Sequence, residues 1–136
     1  MSLVAKAGAV GVIDDEWDIV QLYRDAILAS GFTVYAFTNP LIALEHFRAN
    51  SKSYALIISD LRMPGVDGIG LIKKVKEINP DIRTLLITAF DVEDRVFHRY
   101  KKENLIDGIL QKPITMKNLV TEVENQLKIQ QLQEQK

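Results

Sequence analysis

Short apolar runs alternate with longer amphipathic stretches along the chain. Val10 to Ile13 is an apolar run and predicts a buried strand. From Trp17 to Ser30, Val20, Tyr23 and Ile27 recur at helical spacing, with Ile19, Leu22 and Ala26 beside them, until Gly31 stops the helix. Thr33 to Ala36 predicts a weaker, outer strand. Asn39 and Pro40 start a helix as cap and first-turn residue, and Leu41, Leu44 and Phe47 form its expected inner stripe. Tyr54 to Ser59 (YALIIS) is the continuous apolar run of a strand covered on both faces. The MPGVDG stretch after it is a loop by its Pro and Gly content. Leu71, Ile72, Val75 and Ile78 mark a helix that ends before Pro80, and Thr84 to Thr88 predicts another buried strand. Asp91 caps a helix carrying Val92, Val96, Phe97 and Tyr100. Asp107 to Gln111 is a fifth strand. The last helix starts near Thr115, with Met116, Val120, Val123 and Leu127 expected to face inward.

Five strands alternating with five helices predict a parallel α/β sheet. Such sheets place their working residues beyond the carboxyl ends of the strands. The polar residues there are Asp14 and Asp15, Asp60, Thr88 and Lys112, one group per strand end and all on one edge. The first group sits in VIDDEW, where Asp14, Asp15 and Glu16 crowd together. Each like-charge pair at about 4 Å costs about 4 kcal/mol at an effective dielectric near 20, so the crowding asks for an occupant.

Composition narrows the field. The 136 residues suit one domain, and the formal charge of −1 argues against direct nucleic-acid binding by this domain. With no cysteine there is no disulfide, thiolate chemistry or Cys-ligated zinc, and His46 and His98 alone do not make a histidine-rich metal site. No apolar run approaches a membrane span, and the start, MSLVAKAGAV, is a poor signal peptide. The expectation is a soluble, cytoplasmic protein that needs no membrane. Residues 1–8 read as an N-terminal extension or cloning scar, 9–128 as the domain, and 129–136 as a polar tail. That tail is either a frayed end, the commoner case, or the start of a helical linker, with Ile129 and Leu132 off the inner stripe.

Three carboxylates and a lysine at one sheet edge suit a hard cation. Mg²⁺ takes oxygen ligands, keeps several waters and commonly shares one or two carboxylates with phosphate oxygens. Lys112 and Thr88 suit two further phosphoryl oxygens, and Asp60 suits nucleophilic attack on phosphorus. Each residue also has a duller role. Asp14 or Asp15 caps the next helix, Asp60 begins a turn, Lys112 is a solvated loop residue, and Thr88 is an ordinary strand residue. Five compatible residues at matching strand ends are hard to assign to turn chemistry alone.

The segments VIDDE, IISDLRMPGVDG, LLITAF and GILQKP resemble the receiver domain of two-component response regulators, of the CheY-like type, from about Val10 to Leu127. The resemblance implies a flavodoxin-like, five-stranded parallel sheet of order 2-1-3-4-5. It implies a phosphoprotein switch of a phosphorelay that forms an aspartyl phosphate on Asp60, and not an enzyme acting on other molecules. It further implies magnesium (or Mn²⁺) held by Asp15, Asp60 and the Arg62 backbone carbonyl, with Asp14 acting through water. Thr88, Lys112 and the Ala89 N–H would contact the phosphoryl group. Gly65 and Gly68 match the turn after the acceptor, and Lys112-Pro113 matches a peptide usually cis in the family. The switch pair would be Thr88 and Ile109, but the family usually carries Tyr or Phe at the second position, so here the aromatic is missing. Arg62 and Phe90 occupy positions that tune dephosphorylation, where a bulky Phe90 is expected to slow water.

The implied partners are a sensor histidine kinase or phosphotransfer protein and a downstream target, with homodimerisation left open. The implied output is a 4-5-5 surface of fourth helix, fifth strand and fifth helix, where the basic stretch HRYKKEN is equally an ordinary solvated face. A structural module without phosphorylation would not need Asp15, Asp60 and Lys112. An aspartate-nucleophile phosphatase would want Asp-x-Asp after the first strand, and a flavin carrier a Gly/Ser/Thr-rich loop there. IDDEW offers neither.

Overall fold

The computed structural model describes residues 8–63, 67–89 and 95–134. Five strands, β1 (Ala9–Ile13), β2 (Val34–Phe37), β3 (Tyr54–Asp60), β4 (Arg83–Thr88) and β5 (Gly108–Gln111), form one sheet in the order β2-β1-β3-β4-β5. All four pairings are parallel. The connecting helices are α1 (Trp17–Ala29), α2 (Pro40–Ala49), α3 (Gly68–Ile78), α4 (Arg95–Lys102) and α5 (Met116–Glu134).

Side chains alternate across a strand, so the apolar runs split between two layers. Val10, Val12, Leu56, Ile58, Leu85 and Ile87 meet Val20, Tyr23 and Ile27 of α1 and Leu119, Val123 and Leu127 of α5. On the other face Ala9, Ile13 and Ile57 pack with Ala43, Leu44 and Phe47 of α2 and with Leu71 and Val75 of α3. Leu86 continues that layer beneath Phe97 of α4, with Ile69, Ile72 and Ile106. β3 lies at the centre and is buried along its length up to Asp60. Gly11 of β1 leaves room for the Ile57 and Tyr54 side chains of β3 on one face of the sheet. A Cβ there would lie 2.8 Å from Ile57 Cδ1 and 2.9 Å from Tyr54 Cε1.

Two inner stripes differ from the expectation. Leu41 is 55% exposed, and α2 buries Pro40, Ala43, Leu44 and Phe47 instead. The Asn39 cap takes the Leu41 N–H at 2.9 Å, so Leu41 lies in the first turn, at the open end of the helix. On α5, Leu119 is fully buried while Val120 is half-buried, because the helix presents Leu119, Val123, Gln126, Leu127 and Gln130 to the sheet. The same helix continues to Glu134, so the tail is helical that far. Ile129 and Leu132 are exposed on it. The expected cap Asp91, with Val92, lies outside the described residues, and α4 is described from Arg95.

The amino ends of β4 and β5 are tied by a polar cluster. The Asp107 carboxylate accepts from Lys76 Nζ at 3.0 Å and from the Thr84 N–H at 2.8 Å, with Arg83 at 3.6 Å. Arg83 Nε in turn donates to Gln126 Oε1 of α5 at 2.9 Å. No described helix is long and apolar enough to cross a membrane.

Leu119→Ala should destabilise the fold by about 2–5 kcal/mol, and Val120→Ala by clearly less. Urea unfolding followed by circular dichroism measures both.

Candidate functional site

β1 and β3 end side by side, Ile13 paired with Ser59, so the residues that follow share one edge of the sheet. Asp14, Asp15 and Asp60 each place a carboxylate oxygen within 4.8 Å of the others. β5 brings Lys112 to the same edge, where the Lys112 N–H donates to the Thr88 carbonyl at 2.7 Å and joins the ends of β4 and β5. Lys112 Nζ lies 3.1 Å from Asp60 Oδ1 and 3.8 Å from Asp14 Oδ2. The Lys112-Pro113 peptide is cis.

The three carboxylates sit in different surroundings. Asp14 is 2% exposed, Asp60 is half-buried and Asp15 is exposed. Asp14 Oδ1 accepts the Glu16 N–H at 2.9 Å, so this residue does shape the turn into α1. Its other oxygen, Oδ2, is buried with no hydrogen-bond partner among the described residues, although Lys112 balances its charge from 3.8 Å. Turn formation therefore uses one oxygen of Asp14 and leaves the second turned to the cluster. Burial pushes the Asp14 carboxyl above its ordinary value of 3.8, against the pull of the Glu16 N–H, and the charge of Asp60 adds to the rise. Burial pulls the Lys112 ammonium down. The hydrogen bond and charge of Asp60, and then the charge of Asp14, outweigh it, so the net direction is upward from 10.5.

Thr88 closes β4 and is 1% exposed, paired in register with Gln111. Ala89 follows it and is exposed. Arg62 is exposed two residues after Asp60, while Gly65 and Phe90 lie outside the described residues. The loop after Asp60 closes where the Gly68 N–H donates to the Leu61 carbonyl at 2.6 Å. A Cβ on Gly68 would collide with the Asp60 carbonyl, so only glycine allows α3 to start this close to the end of β3. Ile109 pairs with Leu86 and packs beside Phe97 and Ile106, away from the carboxylates.

Comparison with known proteins places the chain in a family. The sequence model for the response regulator receiver domain matches residues 10–124. The chain belongs to that family. A receiver domain of this kind is a signalling domain of two-component systems. The chain is 32% identical over 128 residues to the DNA-binding transcriptional regulator NtrC of Escherichia coli, covering 94% of this chain and 26% of NtrC. It thus spans about a quarter of the length of that relative. Against the response regulator receiver protein CpdR of Brucella abortus, identity is 30% over 118 residues, covering 84% of this chain and 92% of CpdR. Among solved structures, a response regulator receiver domain protein from Clostridium thermocellum superposes with a TM-score of 0.82 at 25% identity, covering 92% of this chain and 98% of that one.

The charges at this edge also act on a residue of the core. Tyr23 reads in the sequence as part of the inner stripe of α1, and it is indeed buried in the core. Burial raises its hydroxyl above 10.0, and the charges of Lys112, Asp14 and Asp60 all act on it. The available signal was its position two turns into the helix that follows the acids.

The raised Asp14 value sets a pH dependence. Below the unfolded-state value near 3.8 the carboxyl is protonated in both states and contributes nothing. As pH rises towards the higher folded-state value, the unfolded state ionises first and the fold loses stability. Asp14→Asn, which keeps an acceptor for the Glu16 N–H, should therefore stabilise the metal-free domain at pH 7. The gain should vanish below pH 3.8, as read from urea midpoints across pH.

Proposed function

We propose that this receiver domain is a phosphoacceptor switch in which Asp60 takes a phosphoryl group from a histidine kinase or phosphotransfer protein. The single observation that carries this reading is Lys112 Nζ held 3.1 Å from Asp60 Oδ1 beside two further carboxylates. One Asp60 oxygen attacks phosphorus, a P–O bond forms, and the bond to the donor's leaving group breaks. Lys112, kept as an ammonium by Asp60 and Asp14, neutralises one phosphoryl oxygen. Thr88 and the Ala89 N–H donate to others.

The buried, undonated Asp14 Oδ2 and two nearby carboxylates are a hard-oxygen donor set that fits Mg²⁺ or Mn²⁺. Asp15, Asp60 and the Arg62 carbonyl would hold the ion, with Asp14 acting through water. When bound, it supplies charge neutralisation at the phosphoryl oxygens. The chain catalyses no reaction beyond its own phosphorylation and dephosphorylation.

The aspartyl phosphate is recognised through Thr88 and Lys112, whose carbonyl and N–H already bridge β4 and β5. Their movement would reach α4, β5 and α5, the 4-5-5 output face. Ile109 already packs under α4 with Phe97, so the strand carries the signal by shifting packed apolar groups and not by swinging a ring. Couplings of about 1–3 kcal/mol are the ordinary scale for such a device. The relatives frame the partners. A sensor kinase, CckA of Brucella abortus, shares 30% identity over 91% of this chain, and NtrC is a transcriptional regulator.

Incubation with Mg²⁺ and acetyl phosphate should add one phosphoryl group, read by intact mass. Asp60→Asn should remove the adduct, and Asp15→Ala should remove both the adduct and the Mg²⁺-dependent rise in stability. A wild-type chain that stays unmodified by acetyl phosphate and by a cognate kinase would refute the switch, and turnover of unrelated phosphoesters would point to an enzyme. Phe90→Glu should hasten loss of the phosphoryl group. An unchanged dephosphorylation rate would remove Phe90 from the mechanism.

A further inference from the structure

Ser59 ends the apolar run YALIIS and is fully buried, paired with Ile13 of β1 on one side and Leu86 of β4 on the other. A hydroxyl at that depth is costly without a hydrogen-bond partner. Side chains alternate along β3, so Ser59 faces the layer of α2 and α3 with Ile57, while Asp60 turns to the opposite face with Ile58. The hydroxyl therefore lies across the sheet from the Asp60 carboxylate.

Its partner is the backbone of Asp60. Ser59 Oγ donates to the Asp60 carbonyl at 2.9 Å. β1 pairs with β3 only as far as Ile13, opposite Ser59, so this carbonyl lies past the last rung of that ladder. The N–H of the same peptide, that of Leu61, donates to the Ile87 carbonyl of β4 at 2.9 Å. Both polar ends of the Asp60–Leu61 peptide are thus held. Gly68 closes in on the same carbonyl, where a Cβ would collide with it, and the Gly68 N–H takes the next carbonyl, that of Leu61, at 2.6 Å. Alanine would fill the space of Ser59 but would leave the Asp60 carbonyl without its hydroxyl donor.

We propose that Ser59 is a positioning residue for the phosphoryl-transfer site: its hydroxyl fixes the Asp60–Leu61 peptide and so sets the Arg62 carbonyl in place beside the Asp15 and Asp60 carboxylates. The inference rests on the phosphoacceptor reading of Asp60. Ser59 reaches neither a cation nor a phosphoryl group and acts through the chain that joins two of the groups that would hold the ion. Mg²⁺ demands near-ideal octahedral geometry, so a displaced carbonyl weakens the cation site. Loosening this peptide therefore lowers Mg²⁺ affinity and slows phosphoryl transfer, which loss of a merely packed serine would not do.

The test compares Ser59→Ala, Ser59→Cys and Ser59→Thr with the wild type in the full chain. Hydrogen exchange of the Leu61 amide is measured without metal, Mg²⁺ affinity by ¹H–¹⁵N titration, and the rate of adduct formation with acetyl phosphate by intact mass. Ser59→Ala should speed Leu61 exchange and weaken Mg²⁺ binding by about three- to tenfold, the scale of one hydrogen bond. Ser59→Thr, which keeps the hydroxyl, should bind Mg²⁺ within about twofold of the wild type. Ser59→Cys, with its weak thiol donor, should fall between them, and it carries the test if the alanine variant does not fold. Variants that lower only the urea midpoint, with Mg²⁺ affinity and transfer rate as in the wild type, overturn the proposal, because Ser59 then serves the core alone. Weakened Mg²⁺ binding with unchanged Leu61 exchange also overturns it, because the peptide is then not the link. A wild type that gains the phosphoryl group beside Ser59 variants that behave alike sinks this proposal only, whereas a wild type that gains none sinks the phosphoacceptor reading and this proposal with it.

Discussion

Three carboxylates gathered against one lysine are the arrangement on which the rest depends. Asp14, Asp15 and Asp60 approach within 4.8 Å, and one ammonium at 3.1 Å from Asp60 and 3.8 Å from Asp14 is what they share. One positive charge cannot balance three negative ones, and the burial of Asp14 sharpens the deficit. The fold tolerates this because every participant is attached to the end of a buried strand or to the turn after it. In the proposed function that repulsion is what a divalent cation and a phosphoryl group would relieve.

Such crowding needs a rigid frame, and β3 provides it. The strand is covered on both faces and paired on both edges, so Asp60 leaves the core at a defined height beside Asp14. Gly11 leaves room for the Ile57 and Tyr54 side chains, and Gly68 lets α3 begin over the Asp60 carbonyl. Both glycines act by what they lack. A methyl group at Gly68 would meet the Asp60 backbone, and one at Gly11 would displace the Ile57 and Tyr54 side chains.

The two poles of the sheet solve different problems. At the amino ends, Asp107 is surrounded by Lys76, Arg83 and the Thr84 N–H, a cluster whose charges are met within the chain. It anchors α5 through Gln126. At the carboxyl ends, among the described residues, Lys112 is paired with both Asp14 and Asp60 while Asp15 stays exposed. A satisfied cluster fixes structure, while an unsatisfied one is available for chemistry.

The alternation of apolar runs and amphipathic segments was enough to read five strands, five helices and the strand-end residues Asp14, Asp15, Asp60, Thr88 and Lys112. It was enough because a buried parallel strand must be apolar along its length, and its polar neighbours fall where it leaves the core. What the pattern did not reach were choices of rotation and partner. Leu41 and Val120 were expected inside, but helix phase depends on where the preceding loop enters, and that is a tertiary matter. Tyr23 reads as packing and does pack in the core, yet the charges of Lys112, Asp14 and Asp60 act on its hydroxyl. Gln130 reads as part of a polar tail, and only docking of α5 against β3 and β4 buries it together with Gln126. Sequence alone determined which residues leave the strands at one edge. The tertiary structure decided which oxygens meet Lys112 and which acceptors are left without a donor, because those depend on distances between segments far apart in the chain.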